Sequence, residues 1–171
     1  MLSGTPHAAR CAIDFARSLA FVLIAFLPVS AAIAHGANVG DIEIVHPYAL
    51  PTPPVAKTGA VYFRALRNTG PQPDRLIGAS TPAAARVEIH ESSIDNAGVM
   101  RMREIEFIDL PPRGEVRPRH QGYLHLMLID LKAPLVDGGR FPVRLKFERN
   151  GEVEAMVWVE QPKGGGGEHR H

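Results

Sequence analysis

Hydrophobic and polar residues alternate along many short segments after residue 34, a pattern typical of strands that bury one face. Gly, Pro, Asn and Asp fill the gaps between the segments, and no segment keeps a sustained 3.6-residue period. The pattern therefore predicts an all-β antiparallel sandwich or barrel. The segments are 41–46, 60–67, 75–79, 85–91, 99–103, 115–119, 123–131, 141–149 and 153–160.

Turn chemistry supports a hairpin between the last two segments. Asn150-Gly151 is a strong hairpin signal, because both central positions of a type I′ turn need a positive φ angle. We also expect His46 and His120 to lie at the surface and Met156 to fill a gap in the core.

The segment 123–131 carries the first part of a candidate site. Successive side chains of a strand point to opposite faces, so Leu124, Leu126 and Leu128 share one face and fill the core. His125 and Met127 then project together from the other face, within reach of one ion.

Two further segments supply matching side chains. In the segment 85–91, Val87 and Ile89 form the core pair and His90 lies on the polar face. In the segment 99–103, Met100 and Met102 share one side. The candidate metal ligands are therefore His90, Met102, His125 and Met127, with Met100 as a possible substitute.

The first 34 residues read as a cleaved signal peptide. Two arginines precede an apolar run at 19–27, and an Ala-x-Ala motif ends at Ala34, which predicts cleavage before His35. A membrane anchor is disfavoured, because the run is shorter than the ~20 residues of a spanning helix and Pro28 interrupts it. We therefore expect a signal peptide at 1–34, a β-sandwich domain at 35–161 and a flexible Gly/His tail at 162–171.

Composition narrows the chemistry. The chain has 171 residues, 45% of them hydrophobic and 22% charged, with a formal net charge of +1, which argues against disorder and against a nucleic-acid partner. Its one cysteine, Cys11, lies in the predicted signal peptide, so the exported protein would have none. That excludes a thiolate zinc cluster and a blue-copper site. Thioether and imidazole ligands without thiolate favour Cu(I).

These residues resemble the periplasmic PCu(A)C-type copper chaperones. The family pattern is a His, often followed by a Met, then ten residues, a Met, about twenty-one residues and a His-x-Met motif. Here His90 and Glu91 are followed by ten residues, then Met102, then twenty-two residues, then His125-Leu126-Met127. Glu91 stands where the family often has Met, and the last gap is one residue longer than usual. We place that extra residue in the loop 113–122. The resemblance covers residues 41–160.

The resemblance implies a cupredoxin-like Greek-key β-sandwich that binds copper and is not an enzyme. It implies that His90, Met102, His125 and Met127 hold Cu(I) in the periplasm. The metal would be delivered to a copper-accepting protein, such as the subunit that carries the dinuclear copper centre of cytochrome c oxidase. The tail histidines His169 and His171, with His35, could add Cu(II) binding.

Other functions remain open at this point. The chain could be an exported β-sandwich interaction module without a metal, or a protein that sequesters copper rather than delivering it. Hydrolase chemistry has little support, because Ser92 and Ser93 lie in no nucleophile elbow. Glu88, Glu91 and Asp95 read as a solvated strand face. No stable membrane insertion is expected after signal cleavage.

Overall fold

The computed structural model describes residues 36–95, 97–119 and 123–161, and in them the chain forms eleven strands. The predicted signal peptide, His35, His120 and the tail with His169 and His171 lie outside these residues. No helix in the described part is long and apolar enough to cross a membrane. The strands are β1 (Gly36–Val39), β2 (Ile42–Ala49), β3 (Thr58–Asn68), β4 (Asp74–Ser80), β5 (Ala84–Ile94), β6 (Met100–Glu104), β7 (Ile108–Leu110), β8 (Gly114–Val116), β9 (Leu124–Leu131), β10 (Arg140–Phe147) and β11 (Gly151–Val159).

The predicted all-β architecture is confirmed, and each of the nine predicted segments overlaps a strand. The two strands that the pattern did not predict are β1 and β7, of four and three residues. Segments this short contain too few alternations to be recognised from periodicity.

The strands follow one hydrogen-bonded path in the order β6-β5-β9-β3-β2-β11-β10-β4-β7, with β1 beside β2 and β8 beside β3. Every pairing is antiparallel except the β2–β11 contact, which is parallel over two residue pairs. The path folds back on itself into a sandwich, so that one core is enclosed. Its largest fully buried side chains are Phe63, Phe147, Ile42, Ile44, Leu66, Leu76, Leu110, Leu126, Leu128, Leu145, Val61 and Val143.

Two residues with a positive φ angle shift the alternation of their strands. His46 in β2 has a φ angle of 46°, and the buried positions pass from Ile44 to Pro47 across it. Asp130 in β9 has a φ angle of 54° and lets Leu131 face the core. Left-handed backbone is uncommon for residues other than glycine, so a sequence pattern does not announce it.

Two expectations about which side chains are exposed need correction: the sequence predicts His46 at the surface and Met156 in the core. His46 is half-buried, and its Nε2 atom shares a 2.8 Å hydrogen bond with Oε1 of Glu160. Met156 is 45% exposed rather than in the core, because Ala155 and Val157 on either side of it are buried and β11 alternates regularly.

The β10–β11 hairpin is present but is not a two-residue type I′ turn. Phe147 pairs with Gly151, which leaves three residues in the loop, and only Gly151 has a positive φ angle, at 84°. Such a loop with glycine in the left-handed position is the next most common hairpin connection. Asn150 is drawn instead into contacts with Asp41 and Asp74.

Asp74 organises this end of the sandwich. The residue is 2% exposed, and its carboxylate accepts hydrogen bonds from the backbone N–H groups of Arg75, Arg149 and Asn150, and from Nδ2 of Asn150 at 2.6 Å. Burial raises the pKa of Asp74, but these hydrogen bonds together outweigh it and hold the pKa below its usual 3.8. The carboxylate is therefore stabilised in its ionised form and ties β4 to the β10–β11 hairpin.

We expect Asp74→Asn to lower the free energy of unfolding at pH 7 by about 1–3 kcal/mol, because an amide puts a donor where an acceptor is needed. Since the folded-state pKa lies below the unfolded value, this stabilisation is present above about pH 4 and is lost as the pH falls through the folded pKa. Urea unfolding at pH 7 and pH 3 measures both effects. Asp109→Asn, at an exposed aspartate, should change stability by less than about 0.5 kcal/mol. This role of Asp74 would be contradicted if the free energies of unfolding of wild type and Asp74→Asn differed as much at pH 3 as at pH 7.

Candidate metal centre

Two histidines face each other across neighbouring strands. β5 and β9 pair antiparallel with His90 opposite His125, and their ring centroids are 5.7 Å apart at an angle of 61°. The register is set by the core, because Ile89 and Leu126 also pair and both are buried on the other face. The sequence prediction that these histidines lie on one face is matched by the structure.

The two predicted methionines flank His90 in opposite directions. Met127 pairs with Glu88, two residues before His90 along β5. Met102 pairs with Ser92, two residues after it. Both are therefore diagonal neighbours of His90, with Cα atoms about 7–8 Å from it. Met127 is half-buried between β5 and β3, whereas Met102 lies on the edge strand β6 and is 56% exposed.

Glu88 holds the ring of His90. Its Oε2 atom lies 2.9 Å from Nε2 of His90, and its Oε1 atom accepts a hydrogen bond from Nε of Arg86 at 2.7 Å. The hydrogen bonds from His90 and then Arg86 hold the pKa of Glu88 below its usual value, so it is a carboxylate that accepts from Nε2–H. In the neutral tautomer that donates Nε2–H to Glu88, the lone pair lies on Nδ1 of His90, and that atom is buried without a hydrogen-bond partner. Such an orphaned lone pair is what a metal ligand requires.

His125 is buried beside aromatic groups. It is 5% exposed, and its ring centroid lies 6.0 Å from that of Tyr62 on β3. Burial, and secondarily the electrostatic influence of the neighbouring His90, lower the pKa of His125, so the neutral imidazole is favoured. Tyr62 in turn contacts Tyr48, with centroids 5.5 Å apart, and burial followed by Tyr48 raises its pKa. The second imidazole is therefore kept neutral in a largely apolar wall.

Sequence reasoning missed two residues of this site. The sequence pattern predicts Glu88 on a solvated strand face, but its side chain is only 17% exposed and contacts His90. Its position two residues before His90 was the available signal, since such residues share a strand face. Tyr62 belongs to β3, and only the pairing of β3 with β9 brings it to His125.

Carboxylates and imidazoles do not form a larger cluster here. Within residues 36–95, 97–119 and 123–161, no group of three or more His, Cys, Asp or Glu side chains is arranged to hold a metal ion.

Comparison with solved structures agrees with the fold. The apo PCuAC domain from PmoF1 has a TM-score of 0.64 and 25% identity, over 75% of this chain and 100% of that one. The copper-bound PCuAC domain from PmoF2 has a TM-score of 0.63 and 29% identity, over 75% and 99%. The Cu(I) form of DR1885 from Deinococcus radiodurans has a TM-score of 0.54 and 28% identity, over 79% and 89%. The described residues are thus a PCuAC-type, cupredoxin-like β-sandwich.

Sequence comparison gives the family. Residues 42–159 match the family profile described as "Putative lipoprotein LpqE-like", and the chain belongs to this LpqE-like family. A relative from Leifsonia xyli subsp. xyli, named "Putative lipoprotein Lxx21020", is 31% identical over 102 residues. That match covers 60% of this chain and 61% of the relative, so the chain spans less than two thirds of the relative's length. The resemblance to PCu(A)C chaperones is confirmed.

We expect Glu88→Gln to change the tautomer of His90, because an amide holds Nε2–H less strongly than a carboxylate does. Long-range ¹H–¹⁵N spectra of the metal-free protein, recorded at a pH where the ring of His90 is neutral, should show Nδ1 of His90 unprotonated in the wild type and partly protonated in the variant. Glu91→Gln is the matched control, since Glu91 bonds to Arg103 on the opposite face of β5. An unchanged His90 spectrum in Glu88→Gln would contradict the positioning role of Glu88.

Proposed function

We propose that this protein is an exported, non-enzymatic copper carrier that holds Cu(I) with His90, His125, Met127 and Met102 and passes it to a copper-accepting protein. The observation that carries the proposal is the buried, unpartnered Nδ1 atom of His90, in a ring whose centroid lies 5.7 Å from that of the buried His125. A buried polar atom without a partner costs about 1–3 kcal/mol, so a ligand at that nitrogen would offset the cost.

The nitrogen donors suit a monovalent cation. Both imidazoles bind metals in their neutral form, and the lowered pKa of His125 favours that form. Glu88 fixes the ring of His90 through its other nitrogen, as outer groups do for metal-binding histidines. Two neutral nitrogens leave the charge of Cu(I) uncompensated, which limits how tightly the ion is held.

The sulfur donors select the metal. Thioether sulfur is soft and binds Cu(I) in preference to hard cations, and zinc gains little from it. Met127 lies on β9, which has a neighbouring strand on each side, so Met127 and the two histidines are the rigidly held members of the proposed ligand set. Met102 lies on the exposed edge strand β6 and is the donor nearest to solvent. A set without thiolate can release Cu(I) to an acceptor that carries thiolates.

Named relatives support copper as the cargo. Two of the similar structures are described as copper-bound and as a Cu(I) form, at 29% and 28% identity. The predicted signal peptide at 1–34 and the lipoprotein description of the family support export to the periplasm. Delivery to the dinuclear copper centre of cytochrome c oxidase is the acceptor that we propose to test first.

Anaerobic competition for Cu(I) tests the site. The protein from His35 to His171 is titrated against a chromophoric Cu(I) chelator, beside His125→Ala and Met127→Leu. We expect each variant to bind Cu(I) at least about tenfold more weakly, which corresponds to about 1.4 kcal/mol. Met102→Leu should have a smaller effect because Met102 is exposed.

Met156→Leu is the matched control for both methionine variants, since it is an exposed methionine on β11 outside the site. It should bind Cu(I) as the wild type does. If the wild type competes no better than His125→Ala, the copper site is wrong and a metal-free interaction module becomes the better interpretation.

A further inference from the structure

The hairpin made by the end of β5 and by β6 exposes one apolar face. Ile94, Met100, Met102 and Tyr123 are each between 56% and 65% exposed, and we call these four residues the hairpin patch. Single exposed apolar residues are ordinary, but a contiguous group marks a contact surface.

Strand register places the hairpin patch beside the histidines. Ile94 pairs with Met100, and Ser92 pairs with Met102. Ser92 also donates its N–H to the carbonyl of Tyr123 at 2.6 Å, which continues the β5–β9 ladder beyond His90 and His125. Paired residues share a face of the sheet, so the exposed patch and the two more buried histidines project from the same face.

The other face of the hairpin is charged and internally paired. Arg101 donates to Asp95 at 2.9 Å, and Arg103 donates to Glu91 at 2.6 Å. The hairpin is therefore amphipathic, with a solvated ionic face and an apolar face. The sandwich core does not cover the apolar face, since all four patch residues are exposed.

We propose that the hairpin patch is the docking surface for the copper-accepting protein. This inference rests on the proposed function and specifies its partner: a protein whose thiolate or thioether ligands lie within an apolar surface. Met102 belongs both to the patch and to the proposed ligand set, so a protein seated on the patch has its donors next to the copper. Cu(I) keeps its oxidation state in the transfer. Each bond to a donor of this chain that breaks is replaced by a bond to the acceptor, and an accepting thiol releases its proton to water.

Addition of a second copy to the sheet edge beside the patch is disfavoured. β6 is a sheet edge, and antiparallel pairing of two copies about Met102 would place Arg101 of each copy opposite Arg103 of the other. Like charges directly opposite each other destabilise a strand pair, and exposed charges protect sheet edges from such pairing. Residues 162–171 carry no large apolar side chain with which to cover the patch.

Transfer kinetics test the proposal. The Cu(I)-loaded protein is mixed anaerobically with an apo protein domain that carries a thiolate-ligated dinuclear copper site, and separately with a small chelator. For Ile94→Ser/Tyr123→Ser we expect transfer to the protein acceptor to slow at least about tenfold, because apolar anchors carry most of a contact's binding energy. Transfer to the chelator and the Cu(I) affinity should stay within about twofold.

Val55→Ser/Val136→Ser is the control, since both valines are exposed outside the hairpin. It should keep both transfer rates, and circular dichroism checks that both double variants are folded. If Ile94→Ser/Tyr123→Ser transferred Cu(I) to the protein acceptor at the wild-type rate and bound Cu(I) normally, the proposed docking surface would be wrong. The proposed copper site would be unaffected by that result.

A copper-dependent dimer that the patch substitutions abolish, measured by sedimentation equilibrium, would also overturn the proposal in favour of a second copy. A wild type that does not hold Cu(I) against the chelator overturns the proposed function and this inference together. The two failures are therefore distinguishable.

Discussion

The register between β5 and β9 is the constraint on which the candidate site depends. Leu126 and Leu128 are fully buried, and their burial forces His125 and Met127 to the opposite face, where His90 lies. A shift of one residue would exchange the two faces and would put imidazoles in the core. The longer gap before His125, compared with the usual family spacing, therefore does not separate the histidines, because the ladder keeps one register from Leu124 to Leu131.

Periodicity was enough to predict the strands and the face of each ligand candidate, because both are local properties of alternation. It could not predict which strands are neighbours. Tyr62 reaches His125 only because β3 pairs with β9, strands far apart in the chain. The backbone conformations of His46 and Asp130 could not be predicted from the sequence either, since their positive φ angles follow from tertiary packing rather than from residue type. Asn150 likewise carries a turn signal, but Asp74 recruits its side chain.

The candidate site combines a fixed part and an exposed part. Strands on both sides hold β9, and Glu88 fixes the ring of His90, so the two histidines and Met127 keep their places without a ligand. Met102 lies on an edge strand that has a neighbour on one side only. In a copper carrier, such a division would let the rigidly held residues retain the metal ion while the exposed residue takes part in its release. The buried donors would set the affinity, and an acceptor could displace the exposed thioether first.

The charged face of the hairpin explains how an apolar face can stay open beside an exposed sheet edge. An edge strand with free backbone groups and exposed methionines invites pairing with other strands. Arg101 and Arg103 lie on that strand, paired with Asp95 and Glu91, and their charges oppose the addition of a like strand. The hairpin patch is then accessible to a partner that approaches the sheet face but not to one that extends the sheet. That geometry agrees with the proposed docking surface, because Met102 and the two histidines project from this face of the sheet.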